Sequence, residues 1–206
     1  LNFIKAPFLV LFLVTSLFSI QSITKIGYVD TLSSSCMRLD KPLQNRTVFA
    51  KNGTAIYEQD NLILHGESCK VSLLLETSTV LSLSNESHAW FLQKNGLLFK
   101  KGDLSLSTKE AFKVFLDAFS VVTLPNRDTS FTLSMTKQGI RIDVRKGIVT
   151  LYDFKNSTKF FQSDPKCAYN IKERAQKIVM RAGDHIIYRG DTIVKKCSEI
   201  PTVLQD

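Results

Sequence analysis

Residues Thr129 to Leu151 read TSFTLSMTKQGIRIDVRKGIVTL, and this stretch decides the expected fold. Apolar and polar residues alternate from Phe131 to Met135, break at Lys137-Gln138-Gly139, and alternate again from Ile140 to Val149. A period of two is typical of strands with one buried face, and the break between the runs indicates a tight turn. The stretch therefore predicts half-buried strands joined by tight turns.

The same pattern recurs through much of the chain. It reappears at Val179 to Val194, and between Asn61 and Leu92 apolar runs are separated by turn clusters about every ten residues. Strands at this spacing predict an all-β fold, arranged as an antiparallel sandwich or a β-solenoid-like domain.

Glycine-containing turns punctuate these strands. Asn52-Gly53 predicts a hairpin turn between Phe49 and Ile56, and Asn95-Gly96 and Lys101-Gly102-Asp103 predict two further turns. The segment Lys109 to Phe119 fits either a helical face or a strand, and the neighbouring β pattern favours a strand.

Composition narrows the class of protein. The chain has 206 residues, 44% apolar and 22% charged, which suits one sizeable domain or two small ones. Its net charge is +8, but the 27 lysines and arginines are spread from end to end. Because the sequence contains no zinc finger, basic-aromatic RNA motif or basic helix, we expect solubilising charge and no nucleic-acid partner.

The N-terminus has the pattern of an export signal. Ala6 to Ile20 contains no charged residue, and its 15 residues suit the apolar region of a signal peptide better than a span of about 20. Residues 1–22 are therefore either a signal peptide cleaved near Ser22 or an anchor held in the inner membrane through residues 6–20. We expect an N-terminal extension with short strands at 23–60, a β domain at 61–197 and a mobile tail at 198–206.

The four cysteines form an even set in a chain that we expect to be exported, which favours disulfides over metal ligands or nucleophiles. Three pairings are possible, and loop entropy does not choose among them. Because two cysteines lie early and two late, we favour Cys36 with Cys69 and Cys167 with Cys197, each contributing about 3 kcal/mol.

No catalytic constellation is visible. There is no GxSxG motif, and His65, His88 and His185 lack ligand spacing. Asp143 and Asp153 could form a pair of acids on one side of a hairpin, but we interpret them as solvated strand residues. We interpret Arg189-Gly190-Asp191 as a hairpin turn rather than an adhesion motif. We therefore expect a non-enzymatic protein without a catalytic site, a cofactor or a metal.

Two motifs carry a family resemblance. Ile140-x-Ile142-x-Val144-x-x-Gly147-x-Val149, followed by Val179-Met180-Arg181-Ala182-Gly183-Asp184, resembles the periplasmic domain of the FecR family over about residues 62–194. Asp128-Thr129-Ser130-Phe131 departs from the Gly-Thr-x-Phe start of that family. The resemblance implies an antiparallel β architecture in the periplasm and a role in signal relay or binding at the cell envelope.

The best-known FecR branch carries a cytoplasmic sigma-regulating domain, for which Leu1 to Lys5 is too short. The expectation is thus a stand-alone exported module that binds an envelope protein in signalling or assembly, for instance by strand addition. The rival is a glycan-binding module or cell-wall enzyme that uses Trp90, Tyr57 or Tyr188 as a sugar platform. A third possibility is a disulfide-stapled scaffold.

Overall fold

The computed structural model describes residues 23–152, 161–163, 177–189 and 192–196. In this part of the chain β-strands dominate, joined by turns and one 3-10 turn at Pro42–Gln44, so the all-β prediction is confirmed. The strands are β1 (Lys25–Leu32), β2 (Met37–Lys41), β3 (Arg46–Phe49), β4 (Ala55–Tyr57), β5 (Asn61–Leu64), β6 (Lys70–Leu75), β7 (Val80–Gln93), β8 (Gly96–Thr108), β9 (Lys113–Phe115), β10 (Ser120–Thr123), β11 (Thr129–Thr136), β12 (Gly139–Lys146), β13 (Ile148–Tyr152), β14 (Phe161–Ser163), β15 (Lys177–Arg181), β16 (His185–Arg189) and β17 (Thr192–Lys196).

A long hairpin, β7 with β8, lies at the centre of the sheet. Its ladder is interrupted between Ser84 and His88, where Asn85 and Glu86 take positive φ angles of 59° and 55°. Opposite them Gly102 takes a φ of 93°. This bulge bends both strands, so that one half of each strand belongs to a first layer and the other half to a second layer.

Strand pairing defines the two layers. The first layer runs β3, β2, β5, the C-terminal half of β7, the N-terminal half of β8, β9, β10, β13 and β15. The second layer runs β4, β1, β6, the N-terminal half of β7, the C-terminal half of β8, β11, β12, β16, β17 and β14. The described pairings are antiparallel except β8 with β9 and β14 with β17.

The central hairpin also divides the chain. Among the described strands, β1 to β6 join the sheet on the β7 side and β9 to β17 join it on the β8 side. β1 pairs with β6, and β2 pairs with β5. Strands of the segment 23–60 and strands that follow it therefore lie side by side in the same layers.

The inward faces of both layers form one hydrophobic cluster. Phe91 and Phe99 of the central hairpin, Leu133 of β11 and Val149 of β13 are at most 1% exposed and belong to it. Burying each such side chain stabilises the fold by about 1.5–3 kcal/mol. The stretch from Thr129 to Leu151 forms β11, β12 and β13, with its alternating apolar residues in this core, as its pattern predicts.

Two of the predicted turns need correction. Asn52-Gly53 does form a turn, with the Thr54 N–H bonded to the Lys51 carbonyl at 3.0 Å, but β3 and β4 pair with β2 and β1 rather than with each other. Lys101-Gly102-Asp103 is no turn and lies within β8, where Gly102 accommodates the bulge. The Lys109 to Phe119 segment contains a strand, as expected, but only the short β9.

Several expectations fall outside the described residues. These are the export segment at 1–22, Asp153, Cys167, Cys197 and the tail at 198–206. No helix in the described ranges has the length and apolar character needed to cross a membrane.

Candidate functional site

Strand β3 is an open edge of the first layer. Among the strands that the structure describes, it pairs with β2 and with no other. Phe49, its last residue, is 69% exposed, the most exposed large hydrophobic side chain within residues 23–152 and 177–189. An edge strand that combines a free flank with an exposed aromatic ring is a template for pairing with another chain.

The register shows which backbone groups face outward. The Ala50 N–H donates to the Met37 carbonyl at 2.9 Å, so this pair belongs to the hydrogen-bonded type. Antiparallel ladders alternate between bonded and non-bonded pairs, which directs the backbone groups of Val48 towards β2. The N–H and C=O groups of Thr47 and Phe49 therefore point away from β2, towards the open flank.

A tight connection holds β3 against β2. After Pro42 opens the 3-10 turn, Asn45 adopts a left-handed φ of 47° and donates its N–H to the Pro42 carbonyl at 3.1 Å. The Thr47 hydroxyl donates to Asp40 Oδ1 at 2.9 Å, and Arg38 Nη2 donates to Asp40 Oδ2 at 3.2 Å. The edge strand is thus fixed by side chains of its neighbour as well as by the ladder.

A buried ion pair anchors the end of β2. Lys41 Nζ lies 2.6 Å from Asp60 Oδ2, and both side chains are 3% exposed. Lys41 Nζ also donates to the Ala55 carbonyl at 3.0 Å and lies 4.7 Å from the centre of the Tyr57 ring. The Tyr57 N–H donates to Asp60 Oδ2 at 3.0 Å. These contacts connect the β2–β3 connection to β4 and to the turn before β5, and so fix the position of the edge strand.

Burial affects the pKa of Asp60 in this ion pair. It raises the pKa of Asp60 above its usual range, and the hydrogen bonds from Lys41 and the Tyr57 N–H oppose it. A carboxyl group that is removed from water holds its proton more tightly, so the net effect of the site is a raised pKa.

A row of side chains on the outer face continues from Phe49. Phe49 lies opposite Arg38, Arg38 opposite Ile63, and Ile63 opposite His88. His88 Nε2 lies 2.8 Å from Asn61 Oδ1, and burial, reinforced by Lys100, lowers the pKa of His88. At neutral pH the row therefore carries one cation, Arg38, beside an exposed ring. Aromatic residues and arginine are enriched at the centres of protein interfaces.

One of the two favoured disulfides is formed. Cys36, between β1 and β2, is bonded to Cys69, just before β6, which confirms this pairing. The bond links the two layers, since β2 belongs to the first and β6 to the second. Cys167 and Cys197 lie outside the described residues.

The structure does not unite the three aromatics of the sugar-platform hypothesis. Trp90 faces outward from the first layer, and its indole N–H donates to the Gln59 carbonyl at 2.9 Å. Tyr188 lies in the second layer, where its ring meets Phe119 edge-on at 5.5 Å and packs against the core. Tyr57 is engaged by Lys41. The rings therefore present no common stacking surface.

The histidines are likewise separate. His65 is exposed in the connection before β6, His88 lies on β7, and His185 lies opposite Asp143 across the β12–β16 pair. No cluster of three or more potential metal-ligating side chains occurs in the described ranges. Arg189 ends β16, and the other two residues of its tripeptide lie outside those ranges.

The edge-strand site was missed at the sequence level. Lys41 and Asp60 are 19 residues apart and carry no local motif. Phe49 left one trace: in Arg46-Thr47-Val48-Phe49 it alternates with Val48, so an inward Val48 places Phe49 on the outer face.

Comparisons with known proteins find no matching family model and no matching curated protein. Two crystal structures, both described as a "putative anti-sigma factor" from Parabacteroides distasonis ATCC 8503, are similar in fold. One shares 15% identity with a TM-score of 0.48 over 68% of this chain and 60% of its own. The other shares 16% identity with a TM-score of 0.45 over 63% and 56%. This chain thus spans less than two thirds of either structure, and similarity at this level assigns no function.

Proposed function

We propose that the protein is an exported, non-enzymatic binding module that accepts a β-strand from an envelope protein on strand β3. The main observation behind the proposal is the open flank of β3. The backbone N–H and C=O groups of Thr47 and Phe49 point outward there, beside the exposed ring of Phe49. Strand addition uses these two elements, because backbone hydrogen bonds supply affinity and side-chain contacts supply specificity.

The size of the edge sets the expected strength of binding. Thr47 and Phe49 together offer up to four backbone hydrogen bonds, each worth about 0.5–1.5 kcal/mol net. Covering the exposed part of Phe49 adds about 1–2 kcal/mol. These contributions total about 3–8 kcal/mol, and association itself costs about 4 kcal/mol or more, so the β3 contact alone supports a weak, transient interaction of roughly millimolar affinity or weaker.

Two features support an exported location. The Cys36–Cys69 disulfide is of the kind that persists in oxidising compartments. The uncharged run from Ala6 to Ile20 has the character of a secretory signal or anchor. The motif resemblance to FecR periplasmic domains is consistent with a role in envelope signalling, which we include in the proposal.

Site-specific crosslinking tests the proposal. A photoreactive phenylalanine analogue at position 49 should crosslink the partner, and amide exchange of the resulting complex should show new protection at the N–H groups of Thr47 and Phe49. Thr47→Pro removes one outward N–H without removing a ladder donor, and Thr47→Val controls for the simultaneous loss of the hydroxyl that donates to Asp40. Phe49→Ala removes the ring. Thr47→Pro, relative to Thr47→Val, and Phe49→Ala should each weaken binding about tenfold or more.

Tyr28→Ala is the matched control, since Tyr28 is a 37% exposed aromatic residue on β1 of the second layer. It should leave binding unchanged. The proposal fails if Thr47→Pro and Phe49→Ala bind the partner as well as the unaltered protein does, or if the N–H groups of Thr47 and Phe49 gain no protection.

A further inference from the structure

A groove of about 660 Å³ crosses the outer face of the second layer, over β1, β6, β7, β8 and β11. This face is separate from the β3 edge, which belongs to the first layer. Besides apolar residues, its lining includes six hydroxyl side chains from four neighbouring strands, namely Ser72, Ser82, Ser84, Ser105, Thr132 and Ser134. Its volume is typical of a small-molecule site, which usually falls between about 300 and 1,000 Å³, and its hydroxyl groups stand within a lining that is otherwise largely apolar.

Strand register turns these hydroxyls into an array. Ser72 lies opposite Ser82, Ser82 opposite Ser105, and Ser105 opposite Thr132, which makes a continuous row across four strands. Neighbouring strands are about 4.8 Å apart, and alternate residues along one strand are separated by roughly 6.7 Å. The groove therefore presents hydroxyl groups at regular short intervals in two directions.

The hydroxyls of the array are not engaged within the protein. Among the described residues none of the six donates or accepts a side-chain hydrogen bond, whereas the buried Thr79 and Thr108 hydroxyls nearby bond each other at 2.7 Å. A hydroxyl can both donate and accept, so each unengaged serine can exchange two kinds of hydrogen bond with a ligand.

Two cations stand at opposite ends of the groove. Lys70 begins β6 on one side and Arg145 lies near the end of β12 on the other, and neither forms an ion pair with a described residue. The acidic residue of the lining, Asp103, accepts a hydrogen bond from Asn85 Nδ2. Two other cations of this layer are compensated, since Arg141 pairs with Asp143 and Lys146 with Asp128. The amide of Asn85 is neutral and does not compensate an acidic side chain, so the lining holds two cations and one acidic residue. The positions of Lys70 and Arg145 favour negatively charged groups of a ligand at those two places.

We propose that this groove binds an acidic oligosaccharide. The ring hydroxyls of a sugar chain match an array of serine and threonine hydroxyls, and its acidic groups match Lys70 and Arg145. An apolar ligand would leave the floor hydroxyls without partners, which is costly. Single-stranded nucleic acid is disfavoured because the lining contains no aromatic side chain on which bases could stack.

Calorimetric titration of the purified protein with hexagalacturonate tests the proposal, with the fully methyl-esterified hexamer as the matched neutral ligand. We expect saturable binding of the acid form and at least tenfold weaker binding of the ester. Raising the salt concentration should weaken binding of the acid form, because exposed charges are screened.

Variants locate the binding. Ser82→Val with Ser105→Val removes two adjacent hydroxyls while keeping residues that favour strands, and should weaken binding about tenfold or more. Ser107→Val is the control, since Ser107 is an exposed residue of β8 beyond the groove. Lys70→Gln should also weaken binding about tenfold, and Lys137→Gln, in the β11–β12 turn, should not.

The proposal is overturned if neither hexamer binds, if both bind equally, or if the Ser82 and Ser105 substitutions have no larger effect than Ser107→Val. Because strand addition at β3 involves the other layer, its test can succeed or fail independently of this one.

Discussion

Substitution of the buried Lys41 tests how the candidate edge is supported. Lys41→Met keeps the length of the side chain but removes the cation that lies 2.6 Å from Asp60 Oδ2, and it leaves a carboxyl group with 3% exposure. Losing one partner of a buried pair costs about 3–5 kcal/mol, because the other charge remains out of water. This is a large fraction of the roughly 5–15 kcal/mol that stabilises a typical domain.

The pair should behave as one unit. Asp60→Asn keeps an acceptor for the Tyr57 N–H but leaves the Lys41 charge uncompensated, so we expect a cost of similar size. The double variant, Lys41→Met with Asp60→Asn, should cost less than the sum of the single variants, by up to about 3 kcal/mol. Urea unfolding followed by the fluorescence of the single tryptophan, Trp90, measures all three.

The pH dependence follows from the raised pKa of Asp60. Above the ordinary pKa of an aspartate, the folded protein retains a proton that the unfolded chain has released. The free energy of unfolding therefore falls as the pH rises from about 4 through the folded-state pKa. We expect the stability of the unaltered protein relative to Asp60→Asn to decline over this range. Lys41→Met removes the opposing effect of the cation and should extend the decline to higher pH.

Arg141→Gln is the control, because the Arg141–Asp143 pair is solvent-exposed and its loss should cost less than about 1 kcal/mol. The reasoning is refuted if Lys41→Met destabilises the protein no more than Arg141→Gln does, or if the two single costs at the buried pair simply add.

Two further predictions concern the backbone and the disulfide. Gly102→Ala should destabilise the protein by about 2–4 kcal/mol, since a Cβ there would lie 2.6 Å from Ser87 Cα at a φ of +93°. Gly53→Ala, with a φ of +81° and no atom within 4 Å, should cost only about 1–2 kcal/mol in the same urea assay, and equal costs would contradict a steric role for the bulge. Replacing both Cys36 and Cys69 by serine should lower stability by about 3–4 kcal/mol for a sequence separation of 33, and an unchanged urea midpoint would show that the bond adds no stability.

The alternation of residues predicted strands such as β11 and β12 correctly. Each of β11 and β12 buries one face, so residues such as Phe131 and Ile142 alternate with polar ones, and the pattern is a direct record of that burial. The early disulfide was also predicted, because two of the four cysteines, Cys36 and Cys69, lie early in the chain and two lie late.

Turn chemistry alone could not predict which strands pair. Asn52-Gly53 forms its turn, but β4 pairs with β1 and β3 pairs with β2. The pairing partners of these strands are therefore not set by the turn between them. Gly102 has the neighbours of a turn residue, but its role depends on Asn85 and Glu86 in the facing strand. Such information lies in long-range pairing rather than in local sequence.

The candidate sites show the same division. Alternate serines in β7 and β8 are visible in the sequence, but only the register aligns them into a row with Ser72 and Thr132. The ion pair between Lys41 and Asp60 leaves no periodic trace. Residues that meet through tertiary structure alone carry no pattern from which their meeting can be inferred.

The central hairpin makes the fold divisible at one seam. The described strands before β7 and those after β8 are joined in the sheet through the β7–β8 ladder. The chain can therefore be regarded as two fragments, one ending with the 14-residue strand β7 and the other beginning with β8, that pair along these two strands. Cleavage in the turn at Lys94 would leave each fragment with its own set of paired strands and one long unpaired edge. Such fragments should reassemble along that edge, which makes the turn a natural position for a split-protein reporter of folding.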